Sequence, residues 1–405
     1  MIAFGTTKRY YGFMFERHFW KGRIARLLER RNVLWLAGVR RSGKTTLCHS
    51  LEGAQVFDCE LPRVRRALED PELFLRGVGH ATIVLDEIHR LLNPSEVLKI
   101  AADHFPQVKV IATGSSTLAA RRKFRDTLTG RKNTLWLLPA VLADLRDFGR
   151  PSLDARMLHG GLPPFLLGEG LDDAAYREWI DSFWAKDLQE LFAVERKAAF
   201  LKFMELLLRQ SGELFEATPF AAACEVSRQT IVNYLEILST TLTATVLRPY
   251  AGASQAEIKS QPKVYAFDTG FVCYFREWTS LRAEDGGHLL EHLVLNELFA
   301  HLPPERIFYW RDKQRHEVDF VVRPMRGAKP VAIEAKSRST AFDSSGLRAF
   351  RGRHPEGPNL VVCLDLAEPS TRRVGGLEVR FVPFAHFDEE LVTLTAGGKQ
   401  PPTTP

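Results

Sequence analysis

The stretch Gly38-Val39-Arg40-Arg41-Ser42-Gly43-Lys44-Thr45 follows the apolar run Val33-Leu34-Trp35-Leu36-Ala37 and passes into Thr46-Leu47-Cys48. A strand that ends in G-x-x-x-x-G-K-T and enters a helix is a P-loop, in which glycines let backbone N–H groups wrap phosphate. Gly38 and Gly43 permit backbone angles and close approaches that a Cβ would block. Lys44 supplies charge to the β- and γ-phosphates, and Thr45 offers a hydroxyl to Mg²⁺. The expected nucleotide-contacting set is Gly38, Arg41, Ser42, Gly43, Lys44, Thr45 and Thr46, with ATP and Mg²⁺ as cofactors.

Two later runs fit the same sheet. Ala81-Thr82-Ile83-Val84-Leu85-Asp86-Glu87 is continuously apolar and ends in two acids, as a parallel strand covered on both faces should read. Asp86 is expected to hold Mg²⁺, directly or through water. Glu87 is expected to orient and deprotonate the attacking water, which separates an ATP hydrolase from a small-molecule kinase. Val108 to Ser116 is another buried strand, and at its polar tip Thr113 or Ser115 is the candidate γ-phosphate sensor.

The chain has 405 residues, 45% of them hydrophobic, which is room for two or three domains with their own cores. A net charge of +6 and a pI near 9.0 lean towards an anionic partner. Cys48, Cys59, Cys224, Cys273 and Cys363 form no C-x-x-C pair and no metal-finger spacing, so a reduced cytoplasmic protein is expected. No apolar run is long enough to span a bilayer, and Met1-Ile2-Ala3-Phe4-Gly5 begins no secretion signal.

Residues up to about Arg31 read as an amphipathic helix with Ile24, Leu27 and Leu28 on one face, and residues 32–150 alternate strand and helix. Arg131 follows the turn Thr127-Leu128-Thr129-Gly130. An arginine held there could reach a neighbouring subunit's γ-phosphate and make hydrolysis depend on assembly.

Gly38 to Thr45, Leu85-Asp86-Glu87, Ala112 to Ser116, Leu128 to Arg131 and Gly160-Gly161-Leu162-Pro163 together resemble the prokaryotic AAA+-superfamily ATPases that carry a C-terminal DUF4143 domain. The resemblance implies an α/β fold class: a P-loop NTPase (AAA+/ASCE) parallel-sheet core, a winged helix and a restriction-endonuclease-like C-terminal domain. The expected domains are the ATPase core at 1–150, a helical lid at 151–195, the winged helix-turn-helix at 196–275, the nuclease-like domain at 280–385 and a disordered tail at 386–405. In the lid, Lys186 and Asp187 are candidates to read the nucleotide or a neighbouring subunit, but they read best as a surface ion pair.

In the winged helix, Ser227 is a good N-cap, and Val226, Ile231, Leu235 and Leu238 recur at core spacing. Arg228, Gln229, Thr230 and Asn233 then face outward, where a recognition helix meets bases or phosphates. A protein-docking role for the same module stays open. In the C-terminal region, Val318 to Val322 and Val331 to Lys336 read as two strands joined by a turn, with Glu334 and Lys336 on one face and Asp319 opposite. The order D-x14-E-x-K resembles the active site of the PD-(D/E)xK nucleases, although a plain hairpin with solvent-facing charges fits as well. Glu291 falls on the apolar stripe of the preceding helix, where a carboxylate is costly without a cation or donors. The resemblance also assigns the helix glutamate of such a site to Glu291, while Glu297, on another mostly apolar flank, remains a substitute. Glu291, Asp319 and Glu334 are thus the expected metal ligands, with Lys336 steadying the reacting charge.

The leading expectation is a Mg²⁺-dependent ATP hydrolase that acts on duplex or branched DNA as a homo-oligomer, a hexameric ring or another form. An ATP-regulated nuclease and an ATP-dependent protein-binding switch are the alternatives.

Overall fold

The computed structural model describes residues 15–114, 127–168, 170–192, 194–251, 261–282 and 284–395. Strand β1, Val33–Ala37, is buried at all positions. It lies in a five-stranded sheet of order β2-β3-β4-β1-β5, with β2 at Ala54–Asp58, β3 at Thr82–Asp86, β4 at Lys109–Thr113 and β5 at Asn133–Trp136. All four pairings are parallel. Alternate residues of one strand feed different cores: Val33 and Trp35 pack with Ile83 and Val110, whereas Leu34 and Leu36 pack with Val84 and Ile111. Burial on both faces explains why these strands read as unbroken apolar runs. Parallel strands place their carboxyl ends along one edge, and Ala37, Asp86 and Thr113 are therefore brought together there.

The amphipathic helix is His18–Arg30, with Trp20, Ile24 and Leu28 buried and Leu27 only partly so. Beyond the sheet, helices Leu142–Asp147, Leu153–Leu158 and Asp173–Phe183 lead into a π-helical turn, Trp184–Leu188. Three helices, Lys197–Arg209, Ala217–Cys224 and Arg228–Thr240, then precede an antiparallel ribbon of β6, Ala244–Leu247, and β7, Lys263–Ala266. The helix Asp285–His301 packs against a six-stranded mixed sheet of order β12-β13-β11-β10-β9-β8, with β8 at Ile307–Arg311, β11 at Asn359–Cys363, β12 at Ser370–Val374 and β13 at Leu377–Pro383. Its central hairpin pairs β9, Glu317–Val322, with β10, Val331–Lys336, antiparallel.

One apolar core runs through the lid helices, the three-helix unit and the C-terminal domain, joining Trp179, Phe203, Phe271, Leu293 and Phe320. The lid expected at 151–195 and the module expected at 196–275 are therefore packed as a continuous body, because neither short segment could bury its apolar face alone. The turn at Gly160-Gly161 is built into this body. Gly160 has φ +84°, and a Cβ there would overlap the Asp268 carboxylate, which accepts the Gly161 N–H at 2.6 Å. Among the described residues, no helix is long and apolar enough to cross a membrane.

Candidate functional site

The P-loop leaves the end of β1 and enters the helix Lys44–His49 through Gly43, which takes φ +89°. At Gly38 the chain passes so close to β5 that a Cβ would lie 2.6 Å from the Leu137 carbonyl, so this position must be glycine. Lys44 Nζ donates to the Gly38 and Val39 carbonyls at 2.9 and 3.0 Å. Burial lowers its pKa, while Glu87, Asp187 and Asp86 work in the opposite sense. Thr45 Oγ1 donates to Asp86 Oδ2 at 2.9 Å, and Thr113 Oγ1 donates to the other Asp86 oxygen. Hydroxyl and carboxylate thus stand side by side as hard oxygen donors, the kind Mg²⁺ takes.

Glu87 leaves the strand with φ +52°, a left-handed conformation that turns its side chain out of the sheet direction. Its backbone N–H donates to Thr113 Oγ1 at 3.2 Å, and its Oε2 lies 3.0 Å from His89 Nδ1. Burial raises the pKa of this carboxyl, but His89, Lys44 and Arg40 outweigh burial and hold it below the ordinary value, so it is ionised and able to accept a proton. Thr113, fully buried, is the strand-end hydroxyl at the centre of this network; Ser115 lies outside the described residues.

Lys44, Thr45 and Glu87 line a cavity of about 730 Å³ bounded by the P-loop on one side and by Pro163, Trp179 and Asp187 on the other, with Asp86 and Thr113 buried behind them. Two supports of this site were not legible in the sequence. Arg17 forks onto Asp144, with Nε 2.8 Å from Oδ1, and donates to the Ser42 carbonyl at 2.9 Å, bracing the loop from beneath. Asp187, expected on the surface with Lys186, is buried and ion-paired to Arg40 at 3.1 Å. The two ion pairs, Arg17 with Asp144 and Arg40 with Asp187, join residues more than a hundred positions apart, and no local pattern announces them.

Arg131 lies at the opposite, amino-terminal end of β5. It is ion-paired to Asp103 at 2.7 Å, on the chain's surface and away from its own P-loop.

The C-terminal carboxylates do come together. The register that faces Ile333 with Phe320 also sets Glu334 beside Asp319. Lys336 Nζ bridges the two, 3.0 Å from Asp319 Oδ2 and 2.7 Å from Glu334 Oε2. Glu291 accepts the Tyr265 hydroxyl at 2.9 Å, and burial pushes its pKa up to about 7, with the Asp319 charge adding to the effect. Burial likewise raises Glu334, whereas Lys336 and Lys263 hold Asp319 below its usual value despite burial. The ammonium of Lys336 occupies the space between the carboxylates, and among the described residues no three His, Cys, Asp or Glu converge closely enough to hold a metal ion. The solvent-facing hairpin is also ruled out, since Asp319 and Glu334 are 7% and 4% exposed. Lys263 and Tyr265, both on β7 of the ribbon, form part of this cluster, and Lys263 is ion-paired to Glu317. Glu297 does not substitute for Glu291: it faces the first domain and accepts the Leu142 N–H at 2.6 Å.

On the helix Arg228–Thr240, Ser227 Oγ caps the Thr230 N–H at 3.0 Å, and Ile231, Tyr234, Leu235 and Leu238 are buried. Arg228, Gln229 and Asn233 are exposed and Thr230 is half-buried, with Gln229 bonded to Asn233 at 3.0 Å.

Residues 30–145 match the family model described as an AAA domain, residues 286–382 match the domain of unknown function DUF4143, and residues 150–282 match another, DUF8612. The chain is 29% identical over 353 residues to uncharacterized proteins from Mycobacterium tuberculosis and Mycobacterium bovis, covering 85% of this chain and 79% of each of theirs. Among solved structures, it is similar to Cdc6p from Pyrobaculum aerophilum, with 12% identity, TM-score 0.28 and coverage of 68% of this chain and 96% of that one. It is also similar to the Bacillus subtilis DNA clamp loader delta protein, with 10% identity, TM-score 0.25 and coverage of 54% and 88%. TM-scores this low support nothing about function.

Proposed function

Starting from a chain that carries an AAA domain at residues 30–145 and a DUF4143 domain at 286–382, we propose that it is a Mg²⁺-dependent ATP hydrolase that acts on DNA as a homo-oligomer. The observation that carries the hydrolase reading is the convergence of Lys44, Thr45, Asp86, Glu87 and Thr113 at one edge of the sheet, beside a cavity large enough for a nucleoside triphosphate. Lys44 lies among loop carbonyls at the position from which it would reach the phosphates. Thr45 and Asp86 would hold Mg²⁺, which when bound supplies charge to the phosphate oxygens. Glu87 would accept the proton of the attacking water, and Thr113 keeps Asp86 and the Glu87 backbone in register for that task.

The DNA reading draws on the exposed row of Arg228, Gln229 and Asn233 along a capped helix beside a two-stranded ribbon, which we read as a winged helix, and on the net positive charge. Assembly draws on Arg131, which lies at the far end of β5 from its own P-loop and would serve a neighbour's. The test is ATP turnover with and without duplex or branched DNA, at several salt concentrations, for wild type and Lys44→Ala. DNA should raise turnover and the effect should fade steeply with salt; turnover indifferent to every nucleic acid would refute the DNA role.

A second reading, an ATP-regulated DNA nuclease, draws on Asp319, Glu334 and Lys336 sharing one buried cluster with Glu291 nearby; it requires Lys336 to leave the space between the carboxylates so that a divalent cation can enter. On that reading Mg²⁺- or Mn²⁺-dependent nicking of a plasmid is lost in Glu334→Ala. Cleavage that survives the substitution would exclude these residues.

A further inference from the structure

The two arginines inside the P-loop are already engaged by carboxylates of the lid. Arg40 Nε lies 3.1 Å from Asp187 Oδ2, and Arg41 Nη2 lies 2.5 Å from Glu178 Oε1. A third tie runs to the backbone: Trp179 Nε1 donates to the Arg40 carbonyl at 3.0 Å. Of the two carboxylates, Glu178 is largely solvent-exposed, whereas Asp187 is buried and lines the 730 Å³ cavity together with Arg40 and Lys44. A buried negative charge on the wall of a phosphate site opposes the ligand that site is built for, unless it can move aside. Asp187 stands in the π-helical turn Trp184–Leu188, where one extra residue breaks the regular hydrogen-bond ladder; such turns are common at functional positions. The Trp179 ring, which reaches the P-loop through its N–H, stacks at 5.2 Å and 17° on Phe267, the residue that follows β7 of the ribbon.

We propose that Asp187 is a positioning residue for the nucleotide: its carboxylate takes on Arg40 the place that a phosphate oxygen would take, and nucleotide binding exchanges one anion for the other, releasing the lid turn from the P-loop. This rests on the nucleotide-binding reading above. The exchange supplies a mechanical route, since the segment released is continuous through Trp179 and Phe267 with the ribbon beside the exposed helix. It also sets affinity, because the fraction of molecules with Arg40 free for phosphate scales the apparent binding constant.

The test is calorimetric titration of the full chain with ATP and with ADP in Mg²⁺, alongside thermal unfolding, for wild type, Asp187→Asn, Arg40→Gln and the double variant. Asp187→Asn should tighten ATP by about three- to tenfold, melt lower than wild type without nucleotide, and regain the difference at saturating ATP. In the Arg40→Gln background the Asp187→Asn tightening should vanish. Simple charge repulsion between Asp187 and the ligand would instead persist in that background and would overturn the exchange. Weaker ATP binding by Asp187→Asn would also overturn it, since Asp187 would then contact the nucleotide itself. Should wild type bind no nucleotide at all, the P-loop reading fails and this one with it, an outcome distinct from the other two.

Discussion

Replacing Glu297 with glutamine should make this protein more stable at neutral pH. The carboxyl is 2% exposed, its Oε1 accepts the Leu142 N–H at 2.6 Å, and its Oε2 has no hydrogen-bond partner among the described residues. Burial raises its pKa from an ordinary 4.5 to about 8; the Leu142 N–H and Arg156 oppose the rise, and the charges of Asp388 and Asp144 add to it. In the unfolded chain the group ionises near 4.5, and in the folded protein it keeps its proton up to about 8. Between these values unfolding releases a proton, so the stability contributed is complete below the lower value. It is lost at about 1.36 kcal/mol per pH unit as pH rises through the window. At pH 7 the loss amounts to about 3 kcal/mol. Glutamine has nearly the same shape, keeps an oxygen for Leu142 and does not titrate. Urea unfolding followed by tryptophan fluorescence at about pH 5.5 and about pH 7.5 should show the variant's advantage widening by about 2.7 kcal/mol, other titrating groups cancelling in the difference. An advantage that stays constant, or a variant weaker at the higher pH, would mean that Glu297 is ionised and held by Arg156, and the reasoning would be refuted.

Glu87→Gln should bind ATP as wild type does and hydrolyse it about 10²- to 10³-fold more slowly; equal loss of binding, read by calorimetry, would assign the residue to ligand contact instead. Arg131→Ala should slow turnover without weakening ATP binding, and titrating in the hydrolysis-deficient Glu87→Gln protein as a partner should restore part of the activity, because that partner offers Arg131 to a site that lacks only the arginine; no restoration would mean that Arg131 does not act on a neighbour. Gly160→Ala should destabilise the fold by about 2–4 kcal/mol, since it forces a side chain against Asp268 at a positive φ; a smaller loss in chemical denaturation would mean that the turn can shift. Ser227→Ala removes the cap on the Thr230 N–H and should cost about 1 kcal/mol, with any loss of DNA affinity beyond that pointing to a direct contact.

The parallel sheet and the P-loop at its edge were legible because each signal is local. A strand buried on both faces must be apolar throughout, a P-loop must carry glycine where Leu137 approaches Gly38, and the acids of Asp86-Glu87 sit at a strand end. The capped helix at Ser227 was legible for the same reason, although Tyr234 joined its buried face unannounced. The pairing of Asp319 with Glu334 followed from period-two geometry, but its meaning did not. Lys336 turned out to bridge the carboxylates, and Lys263 and Tyr265 arrived from a ribbon whose docking no spacing records. Glu291 and Glu297 show the limit most plainly: both lie on one helix and look alike in the sequence, yet the first turns to the carboxylate cluster and the second to the Leu142 N–H. Sequence alone determined the elements and the chemistry carried at their ends, because backbone propensity and burial act over a few residues. Only the tertiary structure decided which charges meet, Arg17 with Asp144 and Arg40 with Asp187 among them, because an ion pair across more than a hundred residues is made by packing and leaves no periodic trace in the chain.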